Sequence, residues 1–163
     1  MPEHRTRRAA VKDKKEGKAP STQAGEYVHE EIEHVREGKH GARSTKQAIA
    51  IGLSKARRAG VKVPAGKTAS KSTRKKAAQD EAASHEHHKP AAKRSRATTG
   101  ALKKEGHKAA SKSALSSHAK KSAAKRTAGS RSAAAKKAAH TKGAAGRSAA
   151  AKKAARTRAR KTS

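Results

Sequence analysis

Large apolar side chains are scarce along this chain, but three of them recur at helical spacing in its first quarter. Val28, Ile32 and Val35 stand at positions i, i+4 and i+7, so a helix would place all three on one face. Gly38 follows this stripe, and glycine commonly ends a helix because it adopts a left-handed backbone without steric cost. The pattern predicts a first helix at about residues 22–37.

A second helix is predicted by stronger signals at its two ends. Ser44 opens an S-x-x-Q sequence, the pattern of a capping box in which two side chains satisfy backbone N–H groups reciprocally. Ile49 and Leu53 are four residues apart and share one face. Gly60 provides the end. We expect this helix at about residues 45–59.

The two predicted helices form a short helical hairpin within residues 21–64. The first is mainly acidic and the second mainly basic, which favours their pairing. Ile51, however, lies on a second apolar face of the second helix, and one partner helix would leave that face uncovered. We therefore expect the hairpin to self-associate into a homo-oligomer or to dock on another surface. The residues expected in that contact are Val28, Ile32, Val35, Ile49, Ile51 and Leu53.

The composition argues against a large core. The chain has 43 basic and 12 acidic side chains, a formal net charge of +31, and Tyr27 is its single aromatic residue. Low hydrophobicity with high net charge is typical of chains that cannot offset the entropy lost on folding. The expected fold class is mostly disordered with all-α elements. Its expected parts are a disordered basic arm (1–20), the helical hairpin (21–64), a low-complexity linker (65–96) and an Ala/Lys/Ser-rich basic tail (97–163).

The tail contains a repeat of charge and helix propensity. The sequence R-S-A-A-A-K-K-A-A occupies residues 131–139 and recurs at 147–155, a period of 16 residues. Alanine and lysine favour helix, but clustered like charges lower the stability of a helix. We therefore expect the C-terminal helices to form mainly when a polyanion binds.

The charge of the tail predicts the class of partner. From Gly106 to Ser163, 58 residues contain 17 Lys or Arg and no Asp or Glu. Uncompensated cations at this density favour binding to nucleic acid, whose phosphates release counterions when they are neutralised. The residues expected to contact phosphates are Lys120, Lys121, Lys125, Arg126, Arg131, Lys136, Lys137, Lys142, Arg147, Lys152, Lys153, Arg156, Arg158, Arg160 and Lys161.

Two absences narrow the kind of nucleic acid. Residues 81–163 contain no Asn or Gln, so positioned base reading is disfavoured. The tail has no aromatic side chain, whereas proteins that bind single strands commonly stack bases on aromatic rings. The sequence therefore favours duplex DNA over RNA and a binding mode that is indifferent to base sequence.

Other chemistry has little support in the sequence. The chain has no Cys, no G-x-S-x-G and no P-loop, so we expect no enzymatic activity, no cofactor and no small-molecule substrate. His85, His87 and His88 could bind a metal, but in a linker they predict only a weak site. His29 and His34 are five residues apart and are expected at the surface rather than at a metal. No apolar stretch predicts a membrane partner or a secretory signal.

The second predicted helix also carries a resemblance. Residues 46–60 match K-Q-A-I-A-I-x-L-S-x-A-R-x-A-G. This run resembles a family of small, basic bacterial proteins that are sometimes labelled plasmid-stabilisation or histone-like. The tail is similar in composition to bacterial linker-histone-like proteins. The resemblance implies a bacterial, cytoplasmic context and no catalytic residues.

Taken together, the sequence predicts a histone-like, nucleoid-associated protein that neutralises and compacts duplex DNA. Two alternatives remain open. One is an RNA- or ribosome-associated basic protein, which would use the same cations. The other is a protein–protein adaptor that acts through residues 21–64 and carries the tail as a solubility device.

Overall fold

The structure is a computed structural model that describes residues 2–66, 69–85 and 91–162. Within these ranges the regular secondary structure is entirely helical. The helices are α1 (His4–Lys15), α2 (Pro20–Arg36), α3 (Thr45–Arg58), α4 (Lys71–Ala82), α5 (Ala92–Lys103), α6 (Lys112–Ala124) and α7 (Ala128–Thr162), with a short 3₁₀ turn at Lys108–Ala110. The chain divides into two compact units, Met1–His118 and Ala119–Ser163.

The first unit is built around the pair α2 and α3. Val35, near the end of α2, packs with Ala48, near the start of α3. Tyr27, eight residues earlier on α2, packs with Ala56 near the end of α3. The two helices are therefore antiparallel. They approach so closely at Gly52 that a Cβ there would lie 2.7 Å from the Cα of Val28.

The ends of α3 follow from local side chains. The hydroxyl of Ser44 accepts a hydrogen bond from the backbone N–H of Gln47 at 3.2 Å, and the Gln47 side chain accepts one from the N–H of Arg43 at 2.8 Å. At the other end Gly60 has φ of 85°, and the N–H of Val61 bonds the carbonyl of Ala56 at 3.0 Å. This is the hydrogen-bond pattern of a Schellman ending.

Helix α1 covers the N-terminal half of α2. Its buried residues are Thr6, Ala10 and Asp13, which have the spacing i, i+4 and i+7 of a single helix face. Ala10 enters the cluster that contains Ala24 and Tyr27 of α2. Residues 1–20 thus contain a packed helix, and the expected disordered arm is wrong.

Helix α4 packs on α3 through one buried carboxylate. Asp80 is 1% exposed and accepts hydrogen bonds from Ser54 Oγ at 2.7 Å and from Arg58 Nε at 3.1 Å. Lys76, one turn earlier on α4, lies 3.2 Å from the same carboxylate. A segment that the sequence suggested to be a low-complexity linker therefore contains a docked helix.

The loop between α2 and α3 is closed by the last turn of α5 and by the residues that follow it. In the loop, the backbone N–H of Gly41 donates to the carbonyl of Leu102 at 2.9 Å, and that of Ala42 donates to the carbonyl of Gly106 at 3.1 Å. A Cβ at Gly41 would overlap the backbone of Glu105. The next residues reach the core, where Ala110 is 0% exposed.

The prediction of a mostly disordered chain is wrong. Large apolar side chains are few, but this core is built mainly from alanines in close helix contacts, such as Ala24, Ala48 and Ala56, each 0% exposed. Small side chains let the helix backbones approach each other. Backbone and alanine atoms then make many dispersion contacts in addition to those of the few Leu, Ile and Val side chains. The C-terminal helices α6 and α7 are likewise formed in the chain itself, although we expected them mainly on binding. Their alanine content favours helix.

Candidate nucleic-acid interface

The second unit, Ala119–Ser163, presents a dense array of cations, most of them on helical backbone. It contains all fifteen residues expected to contact phosphates and no acidic residue. Fourteen of them have described side chains, and every one of these is exposed. Lys161 lies in the last turn of α7, and its side chain is outside the described part of the structure.

Alanine and glycine account for the few partly covered positions of this unit. Within residues 119–160 only Ala139, Gly146 and Ala150 are not fully exposed. The repeat therefore buries no side chain larger than a methyl group in this range. The cations of the repeat are exposed to solvent, and the helix that carries them has no large apolar side chains to bury.

A kink divides α7 between the two copies of the repeat. Gly143 has φ of 64° and ψ of 171°, a conformation that is essentially restricted to glycine. Beyond the kink, the guanidinium of Arg147 donates to the carbonyl of Ala139 at 3.4 Å. Each copy of R-S-A-A-A-K-K-A-A thus occupies its own helical segment.

The residues expected to mediate self-association lie in the first unit and are largely covered. Val35 is buried, and Ile32 and Leu53 are packed against the core clusters. The others, Val28, Ile49 and Ile51, are partly exposed. Much of the cover that we expected from a partner is supplied by other parts of the chain, and self-association stays a prediction.

Sequence reasoning missed a group of polar side chains beside α2. His34, which we expected at the surface, is 13% exposed in its side chain, and its Nε2 lies 3.0 Å from a carboxylate oxygen of Glu3. Hydrogen bonds from His34 and Lys39 lower the pKa of Glu3 to about 2. The Glu30–His34 spacing of i, i+4 was visible in the sequence. Its connection to Glu3 was not, because it depends on how α1 packs.

The histidines of the expected linker are only partly described. His85 is exposed at the end of the segment that follows α4. His87 and His88 lie outside the described residues. Of the helices in the described ranges, none combines the length and the apolar character that a bilayer crossing requires.

Residues 4–67 match the model of DUF6496, a family of unknown function. The match spans α1, α2 and α3 and leaves out the second unit. It does not test the resemblance to histone-like proteins, which stays a prediction. Searches of curated proteins and of solved structures gave no match. The chain is therefore similar, over its α1–α3 segment, to a family of unknown function.

Proposed function

We propose that this protein binds duplex DNA without sequence specificity and without enzymatic activity, and that it neutralises and compacts DNA in a histone-like manner. The observation that carries the proposal is the second unit, in which fifteen cations, thirteen of them on helical backbone, have no acidic side chain among them. Such a surface attracts a polyanion over its whole length. It fits a nucleoid-associated role in the cytoplasm.

The charge spacing suits a phosphate backbone. Duplex DNA carries one phosphate charge per about 1.7 Å of its axis, so a helix with many exposed cations can neutralise several phosphates in any register. Phosphate contacts position a protein but carry no base information. Because residues 81–163 contain no Asn or Gln, the second unit lacks the amide side chains that read adenine.

Two variants with equal charge loss test the proposal. The first replaces the repeat lysines, Lys136, Lys137, Lys152 and Lys153, with glutamine. The matched control replaces four exposed cations of α5 in the first unit, Lys93, Arg94, Arg96 and Lys103, with glutamine. We expect the repeat variant to bind a random-sequence duplex much more weakly than the control, and its salt slope to shrink by about 3 to 4. Equal affinities for the two variants would contradict the proposal.

The two alternatives have their own outcomes. Competition between duplex DNA and structured RNA at fixed salt measures the preference directly, and a strong preference for RNA would favour the ribosome-associated alternative. Removal of residues 119–163 tests the adaptor alternative. A chain that keeps its cellular function without them would show that the second unit is dispensable.

A further inference from the structure

A cluster of carboxylates and imidazoles lies where α1, α2 and the α2–α3 loop meet. Glu30, Glu31 and His34 come from the last half of α2, and His40 comes from the loop. The carboxylate of Glu31 and the rings of His34 and His40 offer three ligand atoms that lie within 4.8 Å of one another. Glu3 and Glu30 form a second such group with His34.

Two carboxylate oxygens of the cluster are buried and lack a hydrogen-bond partner within the described residues. They are Oε1 of Glu31 and Oε2 of Glu30. The side chain of Glu31 is 1% exposed, and its other oxygen is bound by Lys55. Buried carboxylates are normally paired or bound to a metal, so an oxygen at this depth without a hydrogen bond is a candidate ligand for a cation.

The orientation of His40 supports the same assignment. Its Nδ1 lies 3.0 Å from the carbonyl oxygen of Gly41. A carbonyl oxygen can only accept, so Nδ1 carries the hydrogen and the Nε2 of a neutral ring has a free lone pair. That Nε2 lies 3.1 Å from Oε1 of Glu31, without the alignment of a hydrogen bond. A cation that lies off the line joining these two atoms would be bound by Oε1 of Glu31 and by the lone pair of a neutral His40 ring together.

The distance between the ligand atoms of His40 and Glu31 suits a small divalent ion. Two ligands that lie about 2.0–2.1 Å from a tetrahedral zinc are about 3.3 Å apart. The spacing of 3.1 Å between His40 and Glu31 is close to that value. A backbone carbonyl that holds the distal imidazole N–H, as Gly41 does here, is also the usual outer partner of a histidine that binds a metal.

We propose that Glu31, His34 and His40 bind one divalent transition-metal ion of the zinc class. Mixed imidazole and carboxylate ligands favour zinc, cobalt, nickel or copper over magnesium and calcium, which prefer oxygen ligands alone. The ion ties the α2–α3 loop to α2 through His40. Because binding occurs in the folded chain, it stabilises the fold of the first unit.

The test uses the full-length chain and removes the competing histidines first. A background variant carries His85→Gln, His87→Gln and His88→Gln, so that the segment after α4 cannot account for binding. Zinc chloride is titrated into this protein by calorimetry, with magnesium chloride as the comparison. We expect one zinc per chain, little response to magnesium, and a rise in the unfolding temperature with zinc.

Two substitutions on this background locate the site. His40→Gln removes a proposed ligand, and we expect zinc affinity to fall by at least about tenfold, the loss typical even for outer partners of metal ligands. His29→Gln is the matched control, because His29 is also on α2 but its side chain is 67% exposed and faces Glu33. It should bind zinc as the background protein does. Equal losses in both variants, or none in either, would overturn the proposal.

A measurement on the unsubstituted protein covers the case in which His40→Gln fails to fold. Imidazole ¹⁵N resonances are recorded with and without zinc chloride. Zinc is expected to shift the Nε2 signal of His40 and one ring-nitrogen signal of His34, and to leave those of His29 unchanged. If the signals of His34 and His40 do not respond, the contact between Glu31 and His40 is a proton-bridged pair only, and the metal site is refuted.

Discussion

At the scale of single residues, Gly52 determines how closely the two central helices pack. A Cβ at this position would lie 2.7 Å from the Cα of Val28 and 3.0 Å from the carbonyl oxygen of Tyr27. Both atoms belong to the backbone of α2, so a side-chain rotation cannot make room. The helices themselves would have to separate.

Replacing Gly52 with alanine is therefore expected to destabilise the first unit by about 1–3 kcal/mol, the usual cost of overpacking a core. Gly25 on α2 is the matched control, since nothing lies within 4 Å of a Cβ there. Gly25→Ala should raise stability by about 0.5–1 kcal/mol because alanine favours helix. Thermal unfolding followed by circular dichroism measures both. A stabilised Gly52→Ala variant would contradict the close approach.

Asp80 gives the contact between α3 and α4 a defined pH dependence. Burial would raise the pKa of Asp80, but hydrogen bonds from Ser54, Lys76 and Arg58 outweigh it and hold that pKa below the ordinary 3.8. A carboxyl whose pKa is lowered by folding stabilises the fold above its unfolded pKa. The stabilisation is lost as the pH falls through the folded pKa, so the window lies below 3.8.

Asp80→Asn should accordingly cost about 1–3 kcal/mol near neutral pH, where the native carboxylate is charged. The difference in unfolding temperature from the wild type should shrink as the pH falls below 3.8. Glu81→Gln, at the exposed neighbouring position, is the control and should show little difference at any pH. A difference for Asp80→Asn that stays constant with pH would show that its charge is unimportant.

At the scale of elements, the ends of helices were easier to predict than their partners. The helix predicted at 45–59 lies at Thr45–Arg58, because Ser44 and Gly60 act locally. Helix α1 was missed because its buried face consists of Thr6, Ala10 and Asp13, which carry almost no hydrophobic signal.

The segment that closes the α2–α3 loop was also beyond sequence reasoning. It binds through backbone groups of Gly41 and Ala42 and through the carbonyl of Ala109, which accepts from the hydroxyl of Thr45 at 2.7 Å. Backbone contacts between distant parts of a chain leave no pattern in side chains. For the same reason the meeting of His40 with Glu31 could not be predicted, although Glu31 and His34 share a face of α2 by spacing alone.

The kink in α7 can be tested at the level of the helix. Gly143→Ala removes the residue that tolerates φ of 64° with ψ of 171°, so the two segments should merge into one continuous helix. The chain has no cysteine, so Ser132→Cys and Ser148→Cys accept spin labels selectively. We expect the Cα separation of these positions to approach about 24 Å, the length of 16 helical residues.

Gly146→Ala provides the control for that experiment, since Gly146 is three residues away and does not have a positive φ. A Cβ at Gly146 would meet only the Cγ of Lys142 at 3.3 Å, and a flexible side chain can move aside. Its interspin distance should match the wild type. The kink would not depend on Gly143 if Gly143→Ala also gave the wild-type distance.

At the scale of the whole molecule, the chain combines a packed helical unit with a unit whose charged side chains are all cationic. The first unit contains every acidic residue of the sequence, and the second contains none. This separation keeps carboxylates out of the second unit. A polyanion that binds there does not have to displace ion pairs with acidic side chains of the same unit.

We propose that binding to duplex DNA depends on the counterions that the cations of the second unit displace from the DNA phosphates. The most direct test is the affinity of the full chain for a random-sequence duplex at several sodium chloride concentrations between about 0.05 and 0.2 M. If about eight cations engage phosphates, log K should fall against log salt with a slope near −7. A slope close to zero, or no binding even in the most dilute salt, would contradict the account.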